Sequence, residues 1–492
     1  MSTVKDYPHQ EVGLQLLQRN PHMALFWYPG NGKTKAILDD LAARKARGEQ
    51  MGGLVFAPNN VKDNWVDEVE RYVSDKLSIL VPDGPSPARI EQIHAGKHDI
   101  YVLNYESLVF LRSYLITRPW PFLVADESTK IKNPQAASTK TALQLQSPLR
   151  RILTGLPDPN DVAMDLYTQM NFVSAGQCFP FSAYKFRDFY CVMGGYERRE
   201  IVGYKNLDDL ARRIAPYVHQ VGEEALGLPE RIIRGYPVPL TGETLQQYEE
   251  MRDSLRAWWG NGDELKARLA VTQLMRLAQI AGGTLQEGER HEWIANNPKI
   301  KALDDVLEDS IYRKTDKAVV FGIYKEELRQ IHARYPKLKP LLLWGDNERS
   351  ENTAKWRAFQ EKGNPNQLMV AQTKTGGIGI NLFAARNVIF YTRDFSLESY
   401  IQGYKRVHRG GQTGTVRVTN LISKVPEKPS KRVKQPWDAI GVDPLAKQRK
   451  HKSIDEIIDD DLTRKERMAK GVMSKVTKLT FSRIKSIMED AL

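Results

Sequence analysis

Short runs of apolar residues alternate along the chain with segments whose apolar positions recur at helical spacing. In the first half, the runs predict strands at residues 23–27, 53–58, 100–108, 122–127 and 150–154. In the second half, they predict strands at residues 318–324, 341–344, 368–371 and 388–391. Strands that alternate with helices favour parallel sheets covered by helices on both faces. The pattern therefore predicts an α/β fold with two such units.

The stretch between the two units has a different pattern. Residues 161–298 are mostly helical in character, including a predicted helix across residues 207–222, although residues 231–240 have the pattern of an extended strand. At 492 residues the chain is long enough for two to four domains. We predict a first αβ domain at 1–160, a helical insert at 161–298, a second αβ domain at 299–423 and a basic linker with C-terminal helices at 424–492.

A glycine-rich loop, WYPGNGKT, follows the first predicted strand at residues 27–34 and leads into a helix. Glycines allow backbone N–H groups to close around phosphates, a lysine here reaches the β- and γ-phosphates, and a following hydroxyl holds Mg²⁺. Because Trp27 stands where the phosphate-loop motif has its first glycine, an ordinary glycine-rich turn remains an alternative. The candidate nucleotide-binding residues are Gly30, Asn31, Gly32, Lys33 and Thr34, with Thr34 as a candidate Mg²⁺ ligand.

Two adjacent carboxylates, Asp126 and Glu127, end the predicted strand at 122–127. In parallel sheets, ligands gather at the carboxyl ends of the strands. One carboxylate can bind Mg²⁺ and the other can polarise an attacking water, so Asp126 is a candidate metal ligand and both are candidate catalytic residues. The alternative is an acidic pair that is stabilised by a helix dipole.

Three further groups are weaker candidates. Gln10 could contact an adenine edge through its amide, although it could equally be a solvated residue at a helix start. Gly376, Gly377 and Gly379 permit a close backbone approach to a phosphate. A helix predicted to end at Gly410-Gly411 would carry Gln402, Arg406 and Arg409, with the two arginines on one face. That face could contact a γ-phosphate as arginine fingers or could simply be solvated.

Composition narrows the class of partner. The formal net charge is +12, with a pI near 9.3, and residues 424–452 contribute nine Lys/Arg against three Asp/Glu, or +6. This balance favours a polyanionic partner, although a basic linker is often only solvated. Cys178 and Cys191 are too few and too isolated for a zinc finger or a disulfide framework. No apolar run approaches the roughly 18 residues of a membrane span, so we expect a soluble, cytoplasmic protein without membrane association.

The order of these segments resembles helicase superfamily two, and specifically its Swi/Snf-type ATPases, from about residue 7 to residue 472. The chain departs from the family pattern at Trp27, at Ser128-Thr129 where Ala-His is usual, at Leu156, and at Lys405 where an acidic residue is usual. The segments that carry the resemblance are Gln10, PGNGKT, LVFAPNNVKDNWVDE, DESTKIKNP, LTGLPDPND with Thr154 and Gly155, and SYIQGYKRVHRGGQ.

The resemblance implies two tandem RecA-like lobes with a helical insert and a C-terminal bracing helix. ATP with Mg²⁺ would then bind in an interlobe cleft, with Gln10, Gly379 and Gln402 among its contacts and with Arg406 and Arg409 completing the catalytic set. The resemblance also implies a grip on a nucleic-acid backbone. By analogy with the family, the residues of this grip are Asn59, Asn64, Tyr105 and Thr373.

The function implied is that of an ATP-driven motor that tracks along double-stranded DNA, in a minimal form similar to bacterial or phage versions. A strand-separating helicase on DNA or RNA, and an ATP-dependent nucleic-acid clamp, are alternatives with the same ATPase core. The bacterial or phage-infected host cytoplasm is the expected location. A small-molecule kinase shares the phosphate loop, but it does not account for the paired arginines or for the duplicated αβ architecture.

Overall fold

The computed structural model describes residues 7–59, 61–155, 162–194, 200–259, 265–287, 290–312, 316–373, 380–426 and 452–466. Two compact units are present in the chain. The first comprises residues 1–228, 377–379 and 464–492, and the second comprises residues 229–376 and 380–463. Within the described ranges, no helix combines the length and the apolar character that crossing a bilayer requires.

The first unit is built on a parallel sheet of seven strands in the order β3-β4-β2-β5-β6-β1-β9. A separate antiparallel pair, β7 and β8, lies outside this sheet. The strands of the unit are β1 (His22–Trp27), β2 (Gly53–Ala57), β3 (Ile79–Leu80), β4 (Ile100–Asn104), β5 (Leu123–Asp126), β6 (Arg150–Leu153), β7 (Cys191–Gly194), β8 (Glu200–Tyr204) and β9 (Val218–Val221).

Helices connect these strands and cover both faces of the sheet. Alternate residues of each strand point into different cores, for example Phe26 and Phe56 into one and Leu25 and Val55 into the other. Burial on both faces explains why the strands are continuous apolar runs in the sequence. The helices are α1 (Pro8–Arg19), α2 (Lys33–Ala46), α3 (Asn64–Tyr72), α4 (Ser86–His94), α5 (Ser107–Phe110), α6 (Arg112–Leu115), α7 (Ala137–Gln144), α8 (Val162–Val173), α9 (Ala183–Tyr190) and α10 (Leu207–Ile214).

The helix predicted across residues 207–222 is wrong in its second part. The helix α10 ends at Ile214, and β9 then forms at Val218–Val221 beside β1. Pro216 lies between them and lacks the N–H that a continuing helix would need. The strand therefore adds an edge to the first sheet from within the predicted insert.

The second unit contains a parallel sheet of six strands in the order β10-β17-β16-β13-β15-β14, together with the antiparallel pair β11 and β12. The strands are β10 (Arg231–Pro239), β11 (Thr284–Glu287), β12 (Arg290–Trp293), β13 (Lys317–Gly322), β14 (Leu341–Leu343), β15 (Leu368–Gln372), β16 (Ala385–Phe390) and β17 (Val416–Lys424). The helices are α11 (Gly242–Trp259), α12 (Leu265–Ala281), α13 (Pro298–Leu307), α14 (Lys325–Arg334), α15 (Arg349–Gln360) and α16 (Leu397–Lys405). Two parallel sheets in tandem confirm the predicted fold class.

The C-terminal helix, residues 454–466, begins with a complete capping box. Ser453 Oγ accepts a hydrogen bond from Glu456 N, and Glu456 Oε2 accepts one from Ser453 N at 2.9 Å. Asp455 in the same turn forms a buried ion pair of 2.7 Å with Lys299 of α13 and accepts from Ser423 N at the end of β17. Burial raises the pKa of Asp455, but Lys299 and Ser423 outweigh it, so the pKa is lowered. Residues 454–463 of this helix belong to the second unit.

A buried carboxylate in α2 holds three elements of the first unit together. Asp40 accepts from Arg44 Nε at 3.0 Å and from Arg151 Nη2 of β6 at 3.1 Å. Both arginines also donate to the Leu17 carbonyl near the end of α1. Burial lowers the pKa of Arg151 to about 10 despite the attraction of Asp40. The ion pair therefore neutralises charges that have no access to water.

We expect Asp40→Ala to destabilise the first unit by about 3–5 kcal/mol, because it leaves Arg151 buried without its counter-charge. By calorimetry, the transition of this unit should move down by roughly 10 °C. The matched control is Asp39→Ala, the adjacent carboxylate, whose ion pair with Lys35 is partly exposed and is worth less than about 1 kcal/mol. Equal shifts in the two variants would contradict the role of Asp40.

Candidate nucleotide-binding site

The phosphate loop joins β1 to α2 at the carboxyl edge of the first sheet. Gly30 and Gly32 have φ angles of 95° and 77°, in the left-handed region that favours glycine. Lys33 begins α2, and its Nζ donates to the Trp27 carbonyl at 2.9 Å. Thr34 is the next residue of the helix and is partly buried. The loop thus has the strand, turn and helix order that a phosphate site requires.

The loop is held against α1 by residues that sequence analysis assigned to ligand binding. The Asn31 carbonyl accepts from His9 Nε2 at 2.9 Å and from Gln10 Nε2 at 3.3 Å. Gln10 Oε1 accepts from Tyr7 N at 2.9 Å. A Cβ on Gly32 would lie 2.0 Å from Gln10 Nε2. Gln10 therefore packs on the loop and supports its shape.

The other side of the loop is fixed by β9. Asn31 Nδ2 donates to the Gly222 carbonyl at 3.0 Å, and the Tyr28 N–H donates to the Val221 carbonyl at 2.8 Å. Asn31 is fully buried, so its amide serves the architecture of the loop. Asn31 is one of the predicted nucleotide contacts, and the sequence does not reveal this anchor because its partners lie about 190 residues away.

Trp27 replaces the first glycine of the motif and fills the space between α1 and β9. Its indole Nε1 donates to His219 Nδ1 at 3.1 Å, and its ring meets His9 edge-on with centroids 5.1 Å apart. A Cβ on Gly13 would lie 2.4 Å from the Trp27 ring, so only glycine fits there. Burial, with a smaller effect from His9, lowers the pKa of His219 to about 4. His219 is therefore uncharged and can accept the indole hydrogen bond at neutral pH.

Asp126 lies at the end of β5 with both carboxylate oxygens engaged. Trp65 Nε1 of α3 donates to Oδ2 at 2.9 Å, and Glu127 N donates to Oδ1 at 3.0 Å. Burial raises the pKa of Asp126, opposed by the Trp65 hydrogen bond and by the positive charge of Lys33. Each oxygen keeps a further lone pair, so the carboxylate remains able to bind a cation.

Glu127 has a φ of 50°, one of the few left-handed residues other than glycine in the described ranges. Strained backbone of this kind persists where the surroundings fix it, and it is frequent at functional sites. Ser128 and Thr129, which replace the usual Ala-His, are buried, and Ser128 Oγ donates to Gln169 Oε1 of α8 at 2.6 Å. Ser128 therefore ties the acidic motif to α8.

The threonine-glycine segment approaches the phosphate loop directly. The Thr154 N–H donates to the Leu25 carbonyl of β1 at 3.2 Å. A Cβ on Gly155 would lie 2.6 Å from Pro29 Cδ. Glycine is thus required for the close packing of this segment on the loop. The remainder of the motif from Leu156 lies outside the described residues.

In the second unit, the helix predicted to end at Gly410-Gly411 stops at Lys405. The Arg406 carbonyl accepts from the Leu382 N–H at 2.8 Å, so it is no longer available to a further helical turn. Arg406 and Arg409 therefore lie in a loop, residues 406–412, which we call the arginine loop, and they do not share a helix face. Burial, with a smaller effect from Arg409, lowers the pKa of Arg406 to about 10.

Gln412 organises the arginine loop. Its Nε2 donates to the carbonyls of Ala385 at 2.8 Å and Phe383 at 3.1 Å, and its Oε1 accepts from the N–H groups of Thr413 and Gly414. Because it is buried, Gln412 supports the loop and does not face a ligand.

His408 ties the same loop to the start of β10. Its Nε2 donates to the Pro229 carbonyl at 2.7 Å, so Nδ1 is the acceptor for Arg231 Nη1 at 3.3 Å. Neither His408 nor Gln412 was predicted as a site residue. Gln402, which was predicted, donates to Glu398 at 3.2 Å within α16.

The residues predicted to contact nucleic acid lie in different settings. Asn59 is exposed after β2, and Asn64 begins α3. Tyr105 is buried, and its hydroxyl donates to the Asp126 carbonyl at 2.6 Å, so it supports the acidic motif from within the core. Thr373 is buried and donates to the Gly322 carbonyl at 3.1 Å. Gly376, Gly377 and Gly379 lie outside the described residues.

The donor set fits Mg²⁺ bound together with phosphates. In the part of the chain that the structure describes, no group of three or more His, Cys, Asp or Glu side chains could hold a metal ion alone. Mg²⁺ typically uses one or two carboxylates plus substrate phosphates and waters, rather than a cage made only of protein groups. Asp126 and the hydroxyl of Thr34 supply this kind of partial site.

Comparison with known proteins gives two family matches. The SNF2-related domain model matches residues 9–274, and the Helicase conserved C-terminal domain model matches residues 298–411. The ISWI chromatin-remodeling complex ATPase CHR17 of Arabidopsis thaliana is 24% identical over 412 residues, with 80% of this chain and 38% of that protein covered. The transcription regulatory protein SNF2 of Saccharomyces cerevisiae is 25% identical over 459 residues, with 86% and 26% covered. The chain thus spans less than half the length of these curated relatives.

Among solved structures, the Sulfolobus solfataricus SWI2/SNF2 ATPase core in complex with dsDNA is 23% identical. The alignment covers 96% of this chain and 97% of that chain, with a TM-score of 0.44.

We expect Gly32→Ala to weaken ATP binding by at least about tenfold, because the new methyl group would displace Gln10 and strain a left-handed backbone. Gly48→Ala is the matched control, since Gly48 has a φ of 83° but nothing within 4 Å of the added Cβ. Titration with a fluorescent ATP analogue measures both affinities. Equal losses would show that the effect does not arise from the geometry of the phosphate loop, because Gly48 lies beyond the other end of α2.

Proposed function

Because the chain belongs to the SNF2-related domain family, we propose that it is an ATP-hydrolysing motor that tracks along double-stranded DNA. The observation that carries the proposal is the grouping of the phosphate loop with the acidic pair at one edge of the first sheet. The Lys33 charge acts on Asp126, and Gly155 packs on Pro29 of the loop. This grouping supports phosphoryl transfer from a nucleotide to water.

Different residues of the first unit would have different roles in ATP hydrolysis. The loop N–H groups and Lys33 would bind the β- and γ-phosphates of ATP. Thr34 and Asp126 would hold Mg²⁺, which when bound neutralises charge on those phosphates. Glu127, with its backbone fixed beside Asp126, would orient the attacking water and accept its proton. Trp65 and Tyr105 would keep the acidic motif in place.

Arg406 and Arg409 of the second unit would supply positive charge to the γ-phosphate as hydrolysis proceeds. Burial, with a smaller effect from Arg409, lowers the pKa of Arg406 only to about 10, so its guanidinium stays charged at neutral pH. An anionic ligand would relieve the unfavourable proximity of two like charges. Closure of the two lobes around ATP, followed by reopening, would then drive movement.

Double-stranded DNA is the favoured track for two reasons. The matched curated relatives include chromatin-remodeling ATPases, and duplex DNA is the nucleic acid of chromatin. The formal net charge of +12 supports a polyanionic partner whose binding weakens steeply with salt. Asn59 and Asn64, at the carboxyl edge of the first sheet, are the residues that we propose for contact with the DNA backbone.

The first experiment compares ATPase rates without nucleic acid and with single-stranded DNA, duplex DNA or duplex RNA. We expect strong stimulation by duplex DNA alone, followed by displacement of the third strand from a DNA triplex, which reports movement without strand separation. Stimulation only by single strands or RNA would favour an unwinding helicase. Stimulation by duplex DNA without triplex displacement would indicate an ATP-dependent clamp.

Lys33→Ala should lower kcat for ATP hydrolysis by about 100-fold or more, because it removes the charge that stabilises the transferring phosphate. The matched control is Lys35→Ala, two residues later in α2, whose side chain pairs with Asp39. Steady-state ATPase assays with saturating duplex DNA measure both. Near-normal turnover by Lys33→Ala would remove this loop from the mechanism.

A further inference from the structure

Arg393 lies in the short segment that joins β16 to α16, in contact with the C-terminal helix. Its Nη1 donates to Asp459 Oδ1 at 2.7 Å, and its side chain is only 5% exposed. The guanidinium carbon lies 5.7 Å from the centre of the Tyr400 ring in α16. Arg393 thus contacts both helices from one buried position, and its hydrogen bond to the partly exposed Asp459 is charge-assisted.

The position of Arg393 also fixes the start of α16 through the chain itself. Ser396 caps this helix, since its Oγ accepts from Ser399 N at 3.1 Å. Ser396 N in turn donates to Asp394 Oδ1 at 3.0 Å. Only two residues lie between Arg393 and the cap, so a shift of Arg393 would act on the first turn of α16.

The C-terminal helix offers a firm anchor for this contact. Its first turn is held by the capping box of Ser453 and Glu456, by the buried pair of Asp455 with Lys299, and by a hydrogen bond from Ile454 N to the Tyr248 hydroxyl at 2.8 Å. Asp459 lies one helical turn further on, on the same helix. The ordered first turn therefore determines where the Asp459 carboxylate is presented to Arg393.

The other end of α16 leads directly into the arginine loop. Asn420 Nδ2 of β17 donates to the Tyr400 hydroxyl of α16 at 3.0 Å, and the ring of Tyr400 meets that of Tyr404 with centroids 5.5 Å apart. Arg231 lies over the Tyr404 ring, 4.6 Å from its centre. A displacement at Arg393 would therefore pass along packed side chains to the residues before Arg406.

We propose that Arg393 is a positioning residue, which couples the C-terminal helix through Asp459 to α16 and so sets the placement of Arg406 and Arg409. The proposal rests on the proposed function, because it assigns these arginines to ATP hydrolysis. Arg393 and Asp459 contact no reacting atom themselves. Their loss should therefore slow turnover without weakening ATP binding.

The test compares Asp459→Asn with Asp460→Asn in the full chain. The two carboxylates are adjacent, but Asp460 pairs with Lys452 at the surface, where both side chains are more than half exposed. With saturating duplex DNA, Asp459→Asn should lower kcat about five- to tenfold, while its KM for ATP stays within about twofold, because misplaced catalytic groups slow the chemical step. Asp460→Asn should match the unaltered protein in both quantities.

Hydrogen exchange of the α16 amides gives a readout that does not depend on hydrolysis. Asp459→Asn should speed exchange across Leu397–Lys405, whereas Asp460→Asn should not. If both variants behave alike in exchange, the coupling does not exist. If exchange speeds up while kcat is unchanged, α16 does not position the arginines. If the unaltered protein shows no ATPase activity, the proposed function fails, and exchange alone decides whether the coupling exists.

A double-mutant cycle distinguishes the pair from two independent effects. Arg393→Met removes the guanidinium but keeps an unbranched side chain in the buried position. The double variant that combines Arg393→Met with Asp459→Asn should have a kcat no lower than that of the more affected single variant, because each substitution breaks the same contact between these two side chains. Additive losses would overturn the assignment of Arg393 and Asp459 as a coupled pair.

Discussion

A charge that is buried in protein must be matched by a partner, and both units of this chain depend on such a match. In the first unit, Asp40 neutralises Arg151 between the sheet and α2. In the second, Lys299 and Asp455 form a pair that water barely reaches and that docks the C-terminal helix. Because a broken buried pair is far more costly than an exposed one, these contacts specify a particular arrangement of the elements as well as stabilising it.

The sequence predicts the parallel sheets well because strands buried on both faces must be apolar along their whole length. The prediction fails where contacts from other segments, and not the spacing of apolar residues, determine the local structure. The residues of β9 continue a helical pattern, but Pro216 interrupts the helix and the open edge beside β1 recruits the strand. The arginine loop also has helical spacing, but its first carbonyl is taken by Leu382 from a distant segment.

The candidate site could be located from the sequence, but its supporting residues could not. Lys33 and Asp126 stand out because phosphate and metal chemistry restricts the residue types that can serve there. Trp65, His219 and Gln412 are ordinary residues in the sequence, and their importance comes from partners that folding brings close. A related ambiguity affects Gln10, since an amide that can contact an adenine can equally hold the phosphate loop.

The attachment of the phosphate loop to β9 affects the order in which the protein can fold. The loop is encoded near the start of the chain, but its anchors at His219 and Gly222 are synthesised about 190 residues later. Contacts of such long sequence separation form late, because a large loop must close before they contribute. On the ribosome, the N-terminal segment therefore emerges with Trp27 and Asn31 still lacking their partners, and the loop acquires its final geometry only after β9 has been made.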